Sequence, residues 1–325
     1  MISKVLEHHI FNYLLNFCTF NQILSDSQFG FRPGRSTESA LLSVTHSWLS
    51  SLDSHNSICA VFFDLRKAFD SVPHRPLMHT LSSIGLSPHL TSWLRSYLCN
   101  RSQQVVLSGF SSQKSHAFSG VPQGSILGPL LFIIYINSLS DIPLSPSSKL
   151  FLYADDILFS RVCNSPSDIS LIQSDINSIS SWISSHHLTV NTSKTKCMFI
   201  SFKPSSFFSS FPPLYLNGSP LEQVSSFKYL GVLISSNLSW SPHILSICRK
   251  SRQLIGILYR LFYRHSSPSS LFKLYSALVR PHLEYCSSVW NPSSSATISK
   301  LENIQFFALK LCAKKFNGLL TILLF

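Results

Sequence analysis

The 325-residue chain is 45% hydrophobic and 12% aromatic, enough to bury a sizeable core as one large domain or two ordinary ones. Lysine and arginine number 26 against 14 aspartates and glutamates, and a formal net charge of +12 on so lightly charged a chain favours a polyanionic partner. Eight dispersed cysteines without a CxxC pair exclude a zinc module of the usual spacing, and no run of about eighteen apolar residues is present to suggest a transmembrane helix or a membrane partner.

The opening Met1-Ile2-Ser3-Lys4-Val5-Leu6-Glu7 loses its apolar character too early for a secretory signal. Val5, Leu6, Ile10, Tyr13, Leu14 and Phe17 recur at helical spacing and predict a helix over 1–20. A loop over 25–38 follows, with two glycines, a proline and two arginines. Arg32 and Arg35 there can meet phosphates, although a plain solvated turn is equally legal. The loop leads into a capped helix over 37–52.

Cys59-Ala60-Val61-Phe62-Phe63 reads as a buried strand ending at Asp64. Cys59 and Cys197 sit inside apolar runs as buried free thiols, which suits a reducing compartment, the nucleus or cytoplasm. Ser71-Val72-Pro73 is helix-start chemistry with Asp70 as the expected cap, and that helix ends near Gly85; Ser87-Pro88 opens another to about Cys99. Residues 104–107 and 115–118 read as hairpin arms. Gly120-Val121-Pro122-Gln123-Gly124-Ser125 is a tight loop, and an apolar helix runs from Gly128-Pro129 to Asn137.

Tyr153-Ala154-Asp155-Asp156 lies between the apolar runs Leu150-Phe151-Leu152 and Ile157-Leu158-Phe159, the pattern of a buried hairpin turning on polar residues. Adjacent carboxylates at such a tip repel one another and lose hydration, a cost that a hard divalent cation such as Mg²⁺ offsets. An ordinary solvated Asp-Asp turn reads equally well from the tetrapeptide alone. Ile169, Ile172, Ile176, Ile179 and Ile183 then predict a surface helix over 167–187. A strand over 196–201, a Ser-, Phe- and Pro-rich loop over 201–213, and short strands at 214–217 and 227–234 follow.

Beyond Trp240 the texture turns helical, over 243–263, 268–280 and 298–316, which places a boundary near 235–242. The first and last of these helices are basic, through Arg249, Lys250, Arg252, Arg260, Arg264, Lys310, Lys314 and Lys315. Such a face suits a nucleic-acid clamp or a merely solvated surface. The closing segment 319–325 is apolar but far too short to span a bilayer.

Phosphoryl transfer onto a growing strand uses two cations about 3.5–4 Å apart, bridged by carboxylates from separate strands. Asp64 at a strand end and Asp155-Asp156 at a hairpin tip meet that need if their strands are antiparallel neighbours. Taken in order, the blocks of this chain resemble the reverse transcriptase domain of non-LTR (LINE-type) retrotransposons. Asp26-Ser27-Gln28-Phe29-Gly30-Phe31-Arg32-Pro33-Gly34-Arg35-Ser36-Thr37 resembles that family's fingers motif. Phe63-Asp64-Leu65-Arg66-Lys67-Ala68-Phe69-Asp70 resembles its first catalytic motif, and Tyr153-Ala154-Asp155-Asp156 its second. Gly120 to Ser125 with Gly128-Pro129 resembles the substrate-positioning motif, Asn191 with Lys194-Thr195 the lysine motif, and Phe227-Lys228-Tyr229-Leu230-Gly231 the primer grip. Arg280-Pro281-His282-Leu283-Glu284-Tyr285 and Val289-Trp290-Asn291-Pro292 resemble its downstream region.

The resemblance implies an α+β, right-hand polymerase fold. Fingers and a palm with an antiparallel sheet would fill 1–234, and a helical thumb with the start of a downstream region 235–325. It implies an RNA-directed DNA polymerase that extends a DNA primer 3′-OH on an RNA template from deoxynucleoside triphosphates. Two Mg²⁺ ions, with Mn²⁺ as a substitute, would be held by Asp64, Asp155, Asp156 and the Leu65 carbonyl. Phe69 would lie under the sugar of the incoming nucleotide and disfavour a ribose 2′-OH. Gln123 and Gly124 would floor the nucleotide pocket, and Arg32 or Arg35 would meet template or triphosphate phosphates. Lys194 would protonate the leaving pyrophosphate, and Tyr229, Leu230 and Gly231 would hold the primer end.

In that family an Arg-Pro-Ile-Ser-like strand and an endonuclease lie further upstream, and the usual tail runs further downstream. The chain therefore reads as the polymerase core of a truncated element or a partial gene product. A catalytically inactive remnant that only binds RNA or DNA, a two-metal nuclease, and a chain too truncated to fold stably are the alternatives.

Overall fold

The computed structural model describes residues 2–292 and 294–314; Lys315, the expected helix end at 316 and the apolar segment 319–325 lie outside the described residues. The chain divides into two compact units, Met1–Ser225 and Ser226–Phe325.

The first unit opens with α1 (Ile2–Phe20) and α2 (Thr37–Asp53). Ser36 and Ser39 exchange side-chain-to-backbone bonds in a capping box that starts α2. Strand β1 (Ile58–Phe63) leads to α3 (Ala68–Ser71), α4 (His74–Ser83) and α5 (Pro88–Leu98), the last capped by Ser87 with Pro88 in its first turn. The hairpin expected over 104–118 is instead two ribbons. Strand β2 (Ser102–Gln103) pairs with β5 (Ser115–His116), and β3 (Val106–Leu107) pairs with β4 (Phe110–Ser111). The inner pair turns on Ser108 and Gly109, both at positive φ, a local hairpin signal inside the longer one.

Next come α6 (Leu127–Ile136), β6 (Lys149–Tyr153), β7 (Asp156–Val162), α7 (Asp168–Ser185) and β8 (Lys196–Ile200). A small β9 (Tyr215–Leu216) and β10 (Ser219–Pro220) hairpin precedes β11 (Glu222–Gln223). Five strands form one sheet in the order β11-β8-β1-β7-β6, antiparallel throughout except for β11 against β8. All six residues of β1, the central strand, are buried, as a continuous apolar run requires. Cys59, Val61 and Phe63 join Ile133 of α6 and Ile176 of α7 in one core. Helix α6 is apolar around its whole circumference and correspondingly buried, whereas α7 buries only its isoleucine stripe with Trp182 and two polar residues. Each fully buried isoleucine of that stripe contributes about 1.5–3 kcal/mol by leaving water.

The second unit begins with β12 (Ser226–Tyr229) and β13 (Val232–Ser235). The single strand expected over 227–234 is therefore a hairpin. Leu230 (φ 45°) and Gly231 (φ 86°) both take the left-handed conformation of a two-residue type I′ turn. Helices α8 (Ser241–Phe262), α9 (Pro268–Leu278), α10 (Arg280–Glu284), α11 (Ser287–Trp290) and α12 (Ser295–Lys314) follow, with α8, α9 and α12 packed on one another. Arg249, Lys250, Arg252 and Arg260 are exposed along α8, and Arg264 is exposed just beyond its end. No helix among the described residues is long and apolar enough to cross a membrane. All eight cysteines are free thiols.

Candidate active site

The register of three strands builds the acidic centre. Strand β7 pairs with β6 from Tyr153↔Asp156 onward, so Ala154 and Asp155 form the two-residue turn. Strand β1 pairs with β7 as far as Phe63↔Ile157, and one more step sets Asp64 opposite Asp156. Opposed Cα atoms in such a ladder stand about 4.5–5.5 Å apart. The three carboxyls sense one another. Burial raises Asp155 above its ordinary value and the charge of Asp64 adds to it. Asp156 as a whole residue is exposed, but desolvation of its carboxyl by the surrounding protein raises it to about 6, with the charges of Asp155 and then Asp64 adding.

A second set of bonds ties Asp64 to the segment carrying Lys194. Leu65 bridges Val190, closed by Asn191 N–H donating to the Asp64 carbonyl at 2.7 Å and Arg66 N–H to the Thr189 carbonyl at 2.8 Å. Both bonds belong to the neighbours of Leu65, so an extended backbone turns the Leu65 carbonyl to the opposite edge, the side of β7. The Asp64 N–H donates to Thr195 Oγ1 at 3.3 Å. Lys194 stands exposed on the intervening turn, where the Asn191 carbonyl accepts from the Lys194 and Thr195 N–H groups.

The Gly-Arg loop reaches the same hairpin. Phe29 N–H donates to the Leu152 carbonyl and Leu152 N–H to the Ser27 carbonyl, both at 2.8 Å, so residues 27–29 add a parallel edge to β6. Phe31 from this loop meets Phe69 edge-on with ring centres 6.3 Å apart, and Phe69 stacks on Phe132 at 4.4 Å. Arg35 pairs with Asp26 at 2.6 Å and lies over the Phe29 ring. Arg32 folds back on the Ser25 and Gln28 carbonyls. Both guanidinium groups thus brace the loop that carries them.

The loop carrying Gln123 is laced to the first acidic block. Gly120 N–H donates to the Val72 carbonyl and Val121 N–H to the Phe69 carbonyl, at 2.7 and 2.8 Å. Exposed Gln123 donates from Nε2 to Asp70 Oδ1 at 2.9 Å. Asp70 is therefore not the helix cap expected of it; α4 has Pro73 at its N-cap position and no side-chain cap, and the Asp70 carboxylate is taken by Gln123. Gly124 is exposed beside it.

Among the described residues, no three His, Cys, Asp or Glu side chains are already gathered as a metal cage. The donor set still fits hard divalent cations. Asp64, Asp155 and Asp156 offer only oxygens, and a cation relieves the burial and mutual repulsion that raise the latter two.

In the second unit, the Tyr229 side chain is buried while Leu230 is half-buried and Gly231 exposed at the turn. Tyr285 donates its hydroxyl to the Leu230 carbonyl at 2.9 Å, and a Cβ at Gly231 would come within 2.9 Å of the Tyr285 ring. Trp290 Nε1 donates to the Tyr285 carbonyl at 2.8 Å, and the Trp290 ring meets His243 edge-on. Four residues important to this geometry carried no role in the sequence: Gln28, Phe31, Thr195 and Tyr285. Their partners are long-range, and only their places inside the recognisable blocks hinted at them.

Residues 1–234 match the family model described as reverse transcriptase (RNA-dependent DNA polymerase). The chain is 31% identical over 321 residues to the probable RNA-directed DNA polymerase from transposon BS of Drosophila melanogaster, covering 95% of this chain and 35% of that protein. It is 28% identical over 313 residues to the RNA-directed DNA polymerase from mobile element jockey of Drosophila funebris, covering 94% and 34%. The chain thus spans about a third of the length of these curated relatives. Among solved structures it resembles apo telomerase from Candida tropicalis, with a TM-score of 0.54, 13% identity, and 96% of this chain and 51% of that chain covered. The same telomerase in complex with a fragment of telomeric RNA gives a TM-score of 0.52 at 12% identity, covering 99% and 55%. At that identity the likeness is one of fold.

Proposed function

The chain belongs to the reverse transcriptase (RNA-dependent DNA polymerase) family of non-LTR retrotransposons, and we propose that it extends a DNA primer 3′-hydroxyl on an RNA template from deoxynucleoside triphosphates. Enzymes of this family use divalent metals; here the reading is two Mg²⁺, replaceable by Mn²⁺, held by Asp64, Asp155, Asp156 and the Leu65 carbonyl. Such ions, when bound, would supply charge neutralisation at the attacking and leaving oxygens. The observation that supports the reading is the β1–β7–β6 backbone register, in which Asp64 and the Asp155-Asp156 turn follow from strand ends at one end of the sheet.

The chain's own groups take the remaining roles. Phe69, wedged between Phe31 and Phe132, lies under the incoming sugar. Gln123 and Gly124 floor the nucleotide pocket, with Gln123 held by Asp70. Lys194, joined through its turn to Asp64, donates a proton to the departing pyrophosphate. Arg32 or Arg35 meets template or triphosphate phosphates by exchanging its internal partner. Tyr229, Leu230 and Gly231 hold the primer end. Fingers and palm occupy 1–234 and a helical thumb 235–325, a reading supported by the five-stranded sheet in the one and the succession of helices in the other.

Extension of a DNA primer on an RNA template tests this. The parent chain extends, and Asp155→Asn lowers the rate about 10³-fold, the loss of several kcal/mol of charge stabilisation, with RNA binding kept. Binding by the parent without any extension overturns the catalytic reading. That result favours the chain as a binding remnant, which the ungathered carboxylates would also suit.

A further inference from the structure

We infer that Gln28, in the loop between α1 and α2, is a positioning residue that sets the conformation of the Ala154-Asp155 turn. Its side chain is completely buried. Its Oε1 accepts from two backbone N–H groups, Gly30 at 2.8 Å and Ala154 at 3.0 Å. Ala154 holds φ at 54°, a left-handed conformation that L side chains rarely adopt, so something must over-determine it. The N–H it presents is buried and needs an acceptor. Gln28 provides that acceptor from a segment 126 residues away.

The backbones leave no slack for another arrangement. The bonds from Phe29 to Leu152 and from Leu152 to Ser27 clamp the loop beside β6 on either side of Gln28. A Cβ at Gly30 would stand 2.6 Å from Ala154 N, so the two chains meet backbone to backbone. Asp155 follows directly, and the torsions of Ala154 decide where its carboxylate points. The neutral amide suits the place better than a carboxylate, which would add a fourth negative charge to Asp64, Asp155 and Asp156. The Gln28 Nε2 atom is buried and finds no hydrogen-bond partner, so Oε1 carries the interaction. The inference rests on the polymerase reading for its effect on rate, though not for its effect on the turn.

Two substitutions separate hydrogen bonding from packing. Gln28→Met keeps the length and bulk but lacks the acceptor, whereas Gln28→Glu keeps an acceptor. Hydrogen exchange at the Ala154 amide is measured together with kcat and KM for primer extension. Gln28→Met is expected to speed exchange at Ala154 roughly tenfold, the loss of one net hydrogen bond. It should lower kcat by up to about 10²-fold with the nucleotide KM and RNA affinity little changed. Gln28→Glu should keep the amide protected. Parent-like exchange in Gln28→Met overturns the inference, as does faster exchange with no change in kcat. If the parent does not extend primers, the polymerase reading fails by itself, and the exchange rates still decide the role of Gln28 at the turn.

Discussion

Phe69 is confined by two rings, Phe31 edge-on and Phe132 face-on, so its side chain has little freedom to yield to a bulkier sugar. Phe69→Val removes most of that ring while leaving a β-branched side chain. It is expected to raise ribonucleotide over deoxyribonucleotide incorporation about tenfold or more, the scale on which one small group changes fit in an apolar pocket. Competing incorporation of paired nucleotides reads this directly, and an unchanged ratio contradicts the role given to the ring. At this scale the sequence showed the kind of residue but not its partner. Asp155 and Asp156 stood out as adjacent charges in an apolar setting, and Gln123 as part of a Pro-Gln-Gly loop. That Asp70 would be taken by Gln123, leaving α4 uncapped, could not be read, because the bond crosses 53 positions.

Among the elements, strong periodicity was legible and interrupted runs were not. The isoleucine steps from Ile169 to Ile183 predicted α7 to within a few residues, because burying one stripe leaves no other helix phase. The run from Phe227 to Ile234 hid a turn, since Leu230 is itself apolar and only Gly231 marks the reversal. That hairpin leans on His243 of α8, whose Nδ1 accepts from Leu233 N–H at 3.2 Å. Burial, with Lys228 adding, lowers the His243 pKa from 6.5 to about 4. The unfolded chain therefore takes up a proton at a higher pH than the folded one does. The stability held by neutral His243 is complete above about 6.5 and is lost as pH falls from there to about 4. The loss is on the order of 3 kcal/mol. His243→Asn keeps an acceptor but does not titrate, so its melting temperature should fall less than the parent's between about pH 7 and about pH 5. Equal falls would show that His243 is not the group responsible.

For the whole molecule, the charge balance is the property with the widest reach. A net charge of +12, with four cationic side chains exposed along α8 and Arg264 just beyond it, predicts RNA binding driven largely by counterion release. If about six phosphates are neutralised, a log–log plot of affinity against salt for single-stranded RNA should have a slope near −4. A slope near zero would mean that the basic surface is not the binding face. The α+β class was legible from mixed strand and helix signals, and the ordered blocks pointed to the family. The sheet order β11-β8-β1-β7-β6 was not legible, because it depends on pairings between strands far apart in the chain.

The proposed polymerase site has Asp64 and the Asp155-Asp156 pair sharing cations at one end of the sheet. Replacing Mg²⁺ with Fe²⁺ and generating hydroxyl radicals at the bound ion cuts the backbone only near its ligands, so the cleavage map locates the site. Cuts are predicted both around Asp64 and around Asp155-Asp156, suppressed by excess Mg²⁺, and lost together in Asp64→Asn. Cuts confined to one of these segments, or cuts around Asp155 that survive Asp64→Asn, would contradict it.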